Sequence, residues 1–451
     1  MATALIVLAA GKGTRMNSDI PKVLHRLAGV PMLAHAMRAG ICIEAEKTVI
    51  VAGHGVDAVS EAAKLQDPDA VIVVQEEQRG TGHAVGCAKD ALGDFDGDII
   101  VLYGDTPFVT PETLKAMLKA RTEGHGVVVL GFEAADPTTY GRFVVGSNNQ
   151  LDAIIEAKEA TAEQRKITLC NSGVVCADAK QLFELVDRIT DDNTSGEFYL
   201  TDIVALANQA GLTAGYVTCP EAETLGINSR SQLALAEAAF QARARTEATE
   251  NGVTLAAPDS VYFAFDTMIG RDVLIGPNVV FGPGVTIESG AEIKAFSHLE
   301  GCHISEGASV GPFARLRAGA EIGADAKVGN FVEIKEANIG KGAKVNHLSY
   351  IGDAEIGEAA NIGAGTITCN YDGVLKHKTV IGAGAFIGSN TALVAPVSIG
   401  AEAMTGSGSV ITSDVEDGAL AIARAVQVNK PGLAKRLRSK LLAIKAKKNK
   451  G

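Results

Sequence analysis

The sequence contains no tryptophan, and aromatic residues fill only 5% of its 451 positions. A core built around large rings is thereby excluded, and the 50 glycines favour repetitive, tightly turned architecture. Positive charge is in deficit: 41 Lys and Arg against 53 Asp and Glu leave a net −12, which argues against a general nucleic-acid surface. The seven cysteines (Cys42, Cys87, Cys170, Cys176, Cys219, Cys302, Cys369) include no C-x-x-C pair, so reduced thiols in a cytosol are the simplest account. Long apolar runs are missing too. The apolar start, Ala4 to Ala10, is too short to span a bilayer and has no basic residue before it, so it reads as a first β-strand rather than a signal peptide. A chain of this length exceeds one ordinary core and predicts two or more domains.

What is present divides in two. Up to residue 228, short β-branched runs ("ALIVLA", "KTVIVAG", "AVIVVQ", "DIIVLYG") alternate with amphipathic stretches such as Pro31 to Gly40 and Thr81 to Leu92. Continuous apolar strands separated by helices predict a buried, doubly wound parallel sheet in an α/β, Rossmann-like domain over 1–228. Residues 229–250 lack Gly and Pro and are rich in Ala, Leu, Arg and Glu, which predicts a linker helix opening after a serine cap.

From there the period changes. Apolar residues recur every six positions from Ile269 through Ile275, Phe281, Ile287 and Ile293 to Leu299, then with occasional five-residue steps through Ile304, Leu316, Ile334, Val345 and Ile356 to Ile362. After the interruption "GTITCNYDGVLKHKT" the sixes return from Ile381 to Ile411. Neither a helix nor an alternating strand has this period. Hexapeptide repetition is the signature of a parallel β-helix, here over 251–424. The remaining 425–451 forms a basic tail, with nine Lys or Arg and no acid from Lys430 onward, expected as a solvated, partly disordered end.

The first strand runs into "LAAGKGTRM" (Leu8 to Met16), followed by Pro21-Lys22. The third glycine of a dinucleotide fingerprint is absent, and so is a Walker A loop. Gly11, Gly13 and Thr14 can expose backbone N–H groups, with Arg15 and Lys22 near, as a phosphate chain requires. An ordinary tight turn would read the same way. With P-K downstream, however, L-x-x-G-x-G-T-x-M resembles the signature of the sugar nucleotidyltransferases, which join a nucleoside triphosphate to a sugar 1-phosphate and release pyrophosphate. "QRGTGHA" and "VLYGDTP" agree, the latter placing Asp105 just past a strand's carboxyl end, where open α/β sheets bind ligands. The resemblance implies a nucleotide-sugar site of Leu8, Ala9, Ala10, Gly11, Lys22, Gln75, Gly80, Thr81, Tyr103, Gly104, Asp105, Gly141, Glu156, Asn171 and Asn228, with Arg15 and Lys22 catalytic. Gln75, Gly80 and Thr81 would read uracil, and Gly141, Glu156 and Asn171 would contact N-acetylglucosamine. Without it, Asn228 is a turn residue and Glu156 an exposed acid on a surface helix. Bringing one anion against another calls for Mg²⁺, for which the resemblance implies Asp105 and Asn228 as ligands.

The second half carries reactive residues beyond its repeat: Arg315 and Arg317, Lys335, His347 and Tyr350, Asn361, and Asn370-Tyr371 where the repeat breaks. Taken singly each is an ordinary surface residue. As a set they resemble the acetyltransferase half of the bifunctional N-acetylglucosamine-1-phosphate uridylyltransferase/glucosamine-1-phosphate N-acetyltransferase family, a likeness that covers nearly the whole chain. The resemblance implies a left-handed coil and His347 as proton acceptor, a role that suits imidazole. It implies Arg317, Lys335, Tyr350 and Asn361 as the glucosamine-1-phosphate site, and Ala364, Asn370, Tyr371, Ser389, Ser407 and Arg424 as the acetyl-CoA site. Ser407 stands where alanine is common, and "AVQVN" after Arg424 replaces the usual "VPQ". UTP and acetyl-CoA as co-substrates, a homotrimer, a cytoplasmic location, and no nucleic-acid partner or membrane span complete the expectation. Its rivals are a single-activity nucleotidyltransferase whose β-helix only assembles subunits, a pyrophosphorylase for another sugar or nucleotide, and a non-catalytic scaffold.

Overall fold

The computed structural model describes residues 2–146 and 149–449. The chain forms two compact units: Met1–Thr246 with Phe263–Phe265, and Glu247–Tyr262 with Asp266–Gly451.

In the first unit, Val71–Val74, Lys47–Ala52, Ala2–Ala9 and Gly97–Tyr103 are parallel neighbours in that order. All are Val- and Ile-rich runs; the inner three are buried on both faces, as helices on either side of a sheet require, while the edge strand Val71–Val74 is only partly covered. The expected all-parallel sheet needs correction, because the sheet is mixed. Leu169–Asp178 enters antiparallel between Gly97–Tyr103 and Val127–Glu133, and Arg142–Val145 pairs antiparallel with both Leu169–Asp178 and Leu151–Ile155. Ala214–Thr218 closes the edge, parallel to Val127–Glu133. The stretch expected as one helix from Thr81 to Leu92 is two short ones, Thr81–Gly86 and Lys89–Leu92. Arg230–Glu250 is a continuous helix, and the Ser229 hydroxyl accepts the Gln232 N–H at 3.2 Å as a cap. Most of it lies within the first unit, where Ala236 and Phe240 are buried.

In the second unit, strands of mostly two to four residues stack in parallel, coil upon coil. Leu274 pairs with Glu292, Glu292 with Ser309 and Ser309 with Lys327, steps of 18, 17 and 18 residues. The five-residue steps in the hexad pattern account for the shorter turns. Every hexad residue named above from Ile275 onward is buried, and only Ile269, in the first coil, is half-exposed. The interruption lengthens a single coil, so Asn361 pairs with Phe386 25 residues on, and the extra residues leave as a loop. The basic end differs from the expectation: Leu433–Lys448 is a helix with no buried residue, while Lys450 and Gly451 lie outside the described residues. No described helix is long and apolar enough to cross a membrane.

Candidate active sites

The glycine-rich turn leaves the carboxyl end of the first strand with Gly11 exposed and Gly13 at φ +61°. A Cβ at Gly13 would fall 2.5 Å from Lys22 Cβ, so the second glycine lets the turn close over Lys22. The Lys22 ammonium donates to Asp105 Oδ2 and, at 3.0 Å, to Asn228 Oδ1. Asp105 follows the strand Gly97–Tyr103, and its carbonyl accepts the Ile227 N–H at 3.0 Å. Asn228 is held in turn by the helix behind it, through its N–H to Gln232 Oε1 at 2.8 Å. A carboxylate oxygen and an amide oxygen thus converge on one cation, in a pocket where the Lys22 and Asp105 side chains are only 13% and 17% exposed. Two hard oxygens focused on one positive centre fit the protein share of a divalent-ion site.

Around this point the sheet's carboxyl edge gathers most of the expected nucleotide residues. Gly104 N–H donates to the Leu8 carbonyl at 2.9 Å, joining the two signature segments. Gln75 is buried beyond Val71–Val74 and donates to the Gly80 carbonyl at 3.1 Å. Gly80 has φ +115°, and a Cβ there would meet the Phe198 carbonyl at 2.5 Å. The Thr81 hydroxyl accepts the Leu200 N–H at 3.0 Å. Burial, reinforced by Asp105, holds the Tyr103 phenol far above its ordinary pKa, so it is a neutral group here. Arg15 is exposed on the turn Thr14–Met16, and among the described residues no hydrogen bond or ion pair ties it to Asp105.

Gly141, Glu156 and Asn171 come together on the antiparallel part of the sheet. The Asn171 N–H donates to the Gly141 carbonyl at 2.8 Å, and the Asn171 side chain accepts the Gly173 N–H at 2.9 Å. Glu156 corrects the expectation of an exposed helical acid. It ends the strand Leu151–Ile155, is half-buried, and accepts the Thr201 hydroxyl at 3.1 Å. Burial, with Glu159 and Glu197 near, raises its carboxyl pKa. Sequence reasoning missed Arg142, which is 2% exposed and donates to the Tyr140 carbonyl, fixing the peptide before Gly141.

In the second unit the coil brings distant residues into file. Asn330 pairs with His347, and backbone N–H groups link His347 to Gly365, Ala364 to Asn390 and Ser389 to Gly408 on successive coils. His347, Ala364, Ser389 and Ser407 therefore occupy one corner. Three steps of about 4.8 Å separate its ends by about 14 Å. Arg424 joins the far end, donating to the Ser407 carbonyl at 2.6 Å. At the near end His347 Nδ1 stands 2.8 Å from Asn330 Oδ1. The amide oxygen holds the hydrogen on Nδ1 and leaves the Nε2 lone pair free. Asn330 was not foreseen, although the coil repeat sets it 17 residues before His347.

A second cluster forms at the other end of the following face. Glu333 and Tyr350 pair in register, as do Lys335 and Gly352, and Arg317 donates to Glu333 at 2.9 Å. Lys376, from the extra loop, stands against Lys335 and, with Arg317, keeps the Lys335 pKa below the usual lysine value. Arg317 is paired with Glu333, and Asp353 also faces Lys335 and Lys376, so three cations gather beside these two carboxylates and exceed them by one positive charge. Asn370 donates to Asp353 and the Tyr371 hydroxyl to the Gly373 carbonyl, while Asp372 accepts Val374 and Leu375 N–H groups and pairs with His377 at 2.7 Å. These bonds hold the Asp372 carboxyl at about pKa 2 and shape the loop. Asn361 lies elsewhere, in register with Lys344 and Phe386. No hydrogen bond or ion pair among the described residues joins the cationic cluster to His347.

A mixed α/β sheet with its cation-binding carboxylate past a strand end, and a hexapeptide coil with an aimed imidazole, define a nucleotidyltransferase joined to an acyltransferase. Residues 5–172 match the MobA-like NTP transferase domain, and residues 266–301 and 378–413 match the bacterial transferase hexapeptide (six repeats). The chain is 64% identical over 451 residues, 100% of both chains, to the bifunctional protein GlmU of Roseobacter denitrificans, and 63% identical over the same span to that of Ruegeria sp. strain TM1040. The GlmU of Ruegeria pomeroyi is 61% identical over 450 residues, again 100% of each chain. The chain belongs to the GlmU family of bifunctional enzymes. It carries uridylyltransferase and acetyltransferase activity, and nothing favours a β-helix used only for assembly.

Proposed function

We propose that the two activities act in sequence: the coil acetylates glucosamine 1-phosphate with acetyl-CoA, and the first unit couples the product to UTP, giving UDP-N-acetylglucosamine and pyrophosphate. The observation that carries this reading is the file from His347 to Arg424, an acceptor nitrogen at the head of a lane long enough for the thioester arm. Ala364, Ser389, Ser407 and Arg424 would line that lane, and Asn370 and Tyr371 would approach it from the loop. The sugar phosphate would sit on Arg317, Lys335 and Lys376, with Tyr350 and Asn361 at its hydroxyls and amine. His347 Nε2 takes the ammonium proton, the freed amine forms a bond to the acetyl carbon, and the C–S bond breaks to release coenzyme A.

In the first unit Gln75, Gly80 and Thr81 hold the base, and Gly141, Glu156 and Asn171 hold the sugar. Leu8 to Gly11, Tyr103 and Gly104 form the floor, and Arg15 and Lys22 face the phosphates. A phosphate oxygen of N-acetylglucosamine 1-phosphate bonds to the α-phosphorus of UTP as the bond to the β-phosphate breaks. Asp105 and Asn228 would hold Mg²⁺, which offsets the charge of the reacting anions. Lys22 donates to both of those oxygens.

A cytoplasmic location is supported by seven unpaired cysteines. A homotrimer is supported by the exposed corner where Phe296, Phe313 and Phe331 stack at 4.9 and 5.2 Å with Leu348 beyond them, one residue past His347. Another copy covering this file would flank the acetylation site.

The sequence of reactions is tested by supplying purified protein with glucosamine 1-phosphate, acetyl-CoA, UTP and Mg²⁺. UDP-N-acetylglucosamine is expected, and no product with any nucleotide or sugar phosphate of the set would refute the assignment. Two residues outside the family motifs give narrower tests. Asn330→Ala should lower kcat for acetyl transfer about 10-fold, as loss of an imidazole's orienting partner does, and shift its pH profile. Lys376→Ala should raise KM for glucosamine 1-phosphate about 10-fold while KM for acetyl-CoA stays, since one charge-assisted hydrogen bond is worth about 1.5 kcal/mol.

A further inference from the structure

The helix Leu433–Lys448 takes no part in either site, and none of its residues is buried. Its composition is one-sided: seven of its sixteen residues are Lys or Arg and none is acidic, in a chain whose net charge is −12. Leu433, Leu437, Leu441 and Ile444 follow at steps of four, four and three, so they form one stripe along the helix, with Lys448 closing it at the carboxyl end and Leu442 alone on the opposite side. The stripe faces solvent, with Leu437 53%, Leu441 66% and Ile444 45% exposed. At 100° per residue Lys440 and Lys447 border it on one side, and Arg438 and Lys445 on the other.

We propose that this helix lies on an anionic phospholipid surface, in the plane of the interface. Four aliphatic side chains between two rows of cations match an acyl boundary overlaid by phosphate groups, because long basic side chains rise from the apolar level to the headgroups. A nucleic acid would satisfy the cations but would set the leucines against phosphate. A second copy of this chain could cover the stripe but would set the basic rows of two such helices against each other.

The test uses the full chain and flotation with vesicles of phosphatidylcholine containing one-third phosphatidylglycerol. The protein should float with these vesicles, and at least about tenfold less with phosphatidylcholine alone or at high salt, because each basic residue near an anionic surface contributes about 1 kcal/mol. Leu437→Asp/Leu441→Asp should lose vesicle binding at least about tenfold while uridylyl transfer stays at its original rate, which shows the chain still folded. The proposal is overturned if wild type does not float, if it floats equally without phosphatidylglycerol, or if the double variant floats like wild type. Retention on duplex DNA in preference to vesicles would overturn it too, as would a double variant whose only change is its assembly state.

Discussion

Replacing His347 with Ala is expected to lower acetyl transfer by about 10²–10⁴-fold, the usual contribution of a positioned general base. The reason lies in the substrate. An amine at neutral pH is largely protonated and has no lone pair for a thioester until something accepts its proton. Asn330 Oδ1 fixes the hydrogen on Nδ1, so Nε2 would be the acceptor, and among the described residues no second histidine pairs with this corner of the coil. Because His347 is exposed at the end of the strand Lys344–His347, its removal leaves the buried hexad column intact. Uridylyl transfer should stay at the wild-type rate. Release of free thiol from acetyl-CoA measures the first activity and pyrophosphate release the second. Acetylation within a few-fold of wild type would remove His347 from its role.

Asp105→Ala should have the complementary effect, a fall in uridylyl transfer of about three orders of magnitude with acetylation unchanged. Among the described residues Asp105 is the only carboxylate hydrogen-bonded to Lys22 at the point shared with Asn228, so its loss would leave one neutral oxygen for an ion. Lewis-acid stabilisation of a transferring phosphoryl group is worth several kcal/mol, and each 1.36 kcal/mol is tenfold in rate. The variant also strands the mostly buried Lys22 ammonium without its partner. A thermal melt should therefore accompany the assay, so that lost stability and lost chemistry are told apart. Full activity at saturating Mg²⁺ would contradict the assignment.

The coil was legible because its constraint repeats. Each inward position from Ile275 to Ile411 has room only for an apolar or small side chain, and that demand returns at every face. The same regularity, extended to outward positions, would have paired Asn330 with His347. Lys376 was not legible, since the loop that brings it to Lys335 lies outside the repeat. In the first unit the strands Ala2–Ala9, Lys47–Ala52 and Gly97–Tyr103 declare themselves by continuous β-branched runs. Strand direction does not: Leu169–Asp178 runs antiparallel because of the connections around it, and its Asn171-Ser172-Gly173 centre obscures its strand character. Glu156 was misplaced because "EAKEA" has strong helix formers, whereas the pairing of Ile154 and Ile155 with Phe143 and Arg142 overrides that preference. At the nucleotide site, the family resemblance names Asp105 and Lys22, but their direct ion pair required the fold.

In the proposed scheme one chain holds two catalytic sites connected by a released sugar phosphate. The most direct measurement mixes separately purified Asp105→Ala and His347→Ala proteins with glucosamine 1-phosphate, acetyl-CoA, UTP and Mg²⁺. Each alone should make almost no UDP-N-acetylglucosamine, and the mixture should make it after a lag while N-acetylglucosamine 1-phosphate accumulates. A mixture as inactive as its parts would contradict two sites linked by a diffusing intermediate.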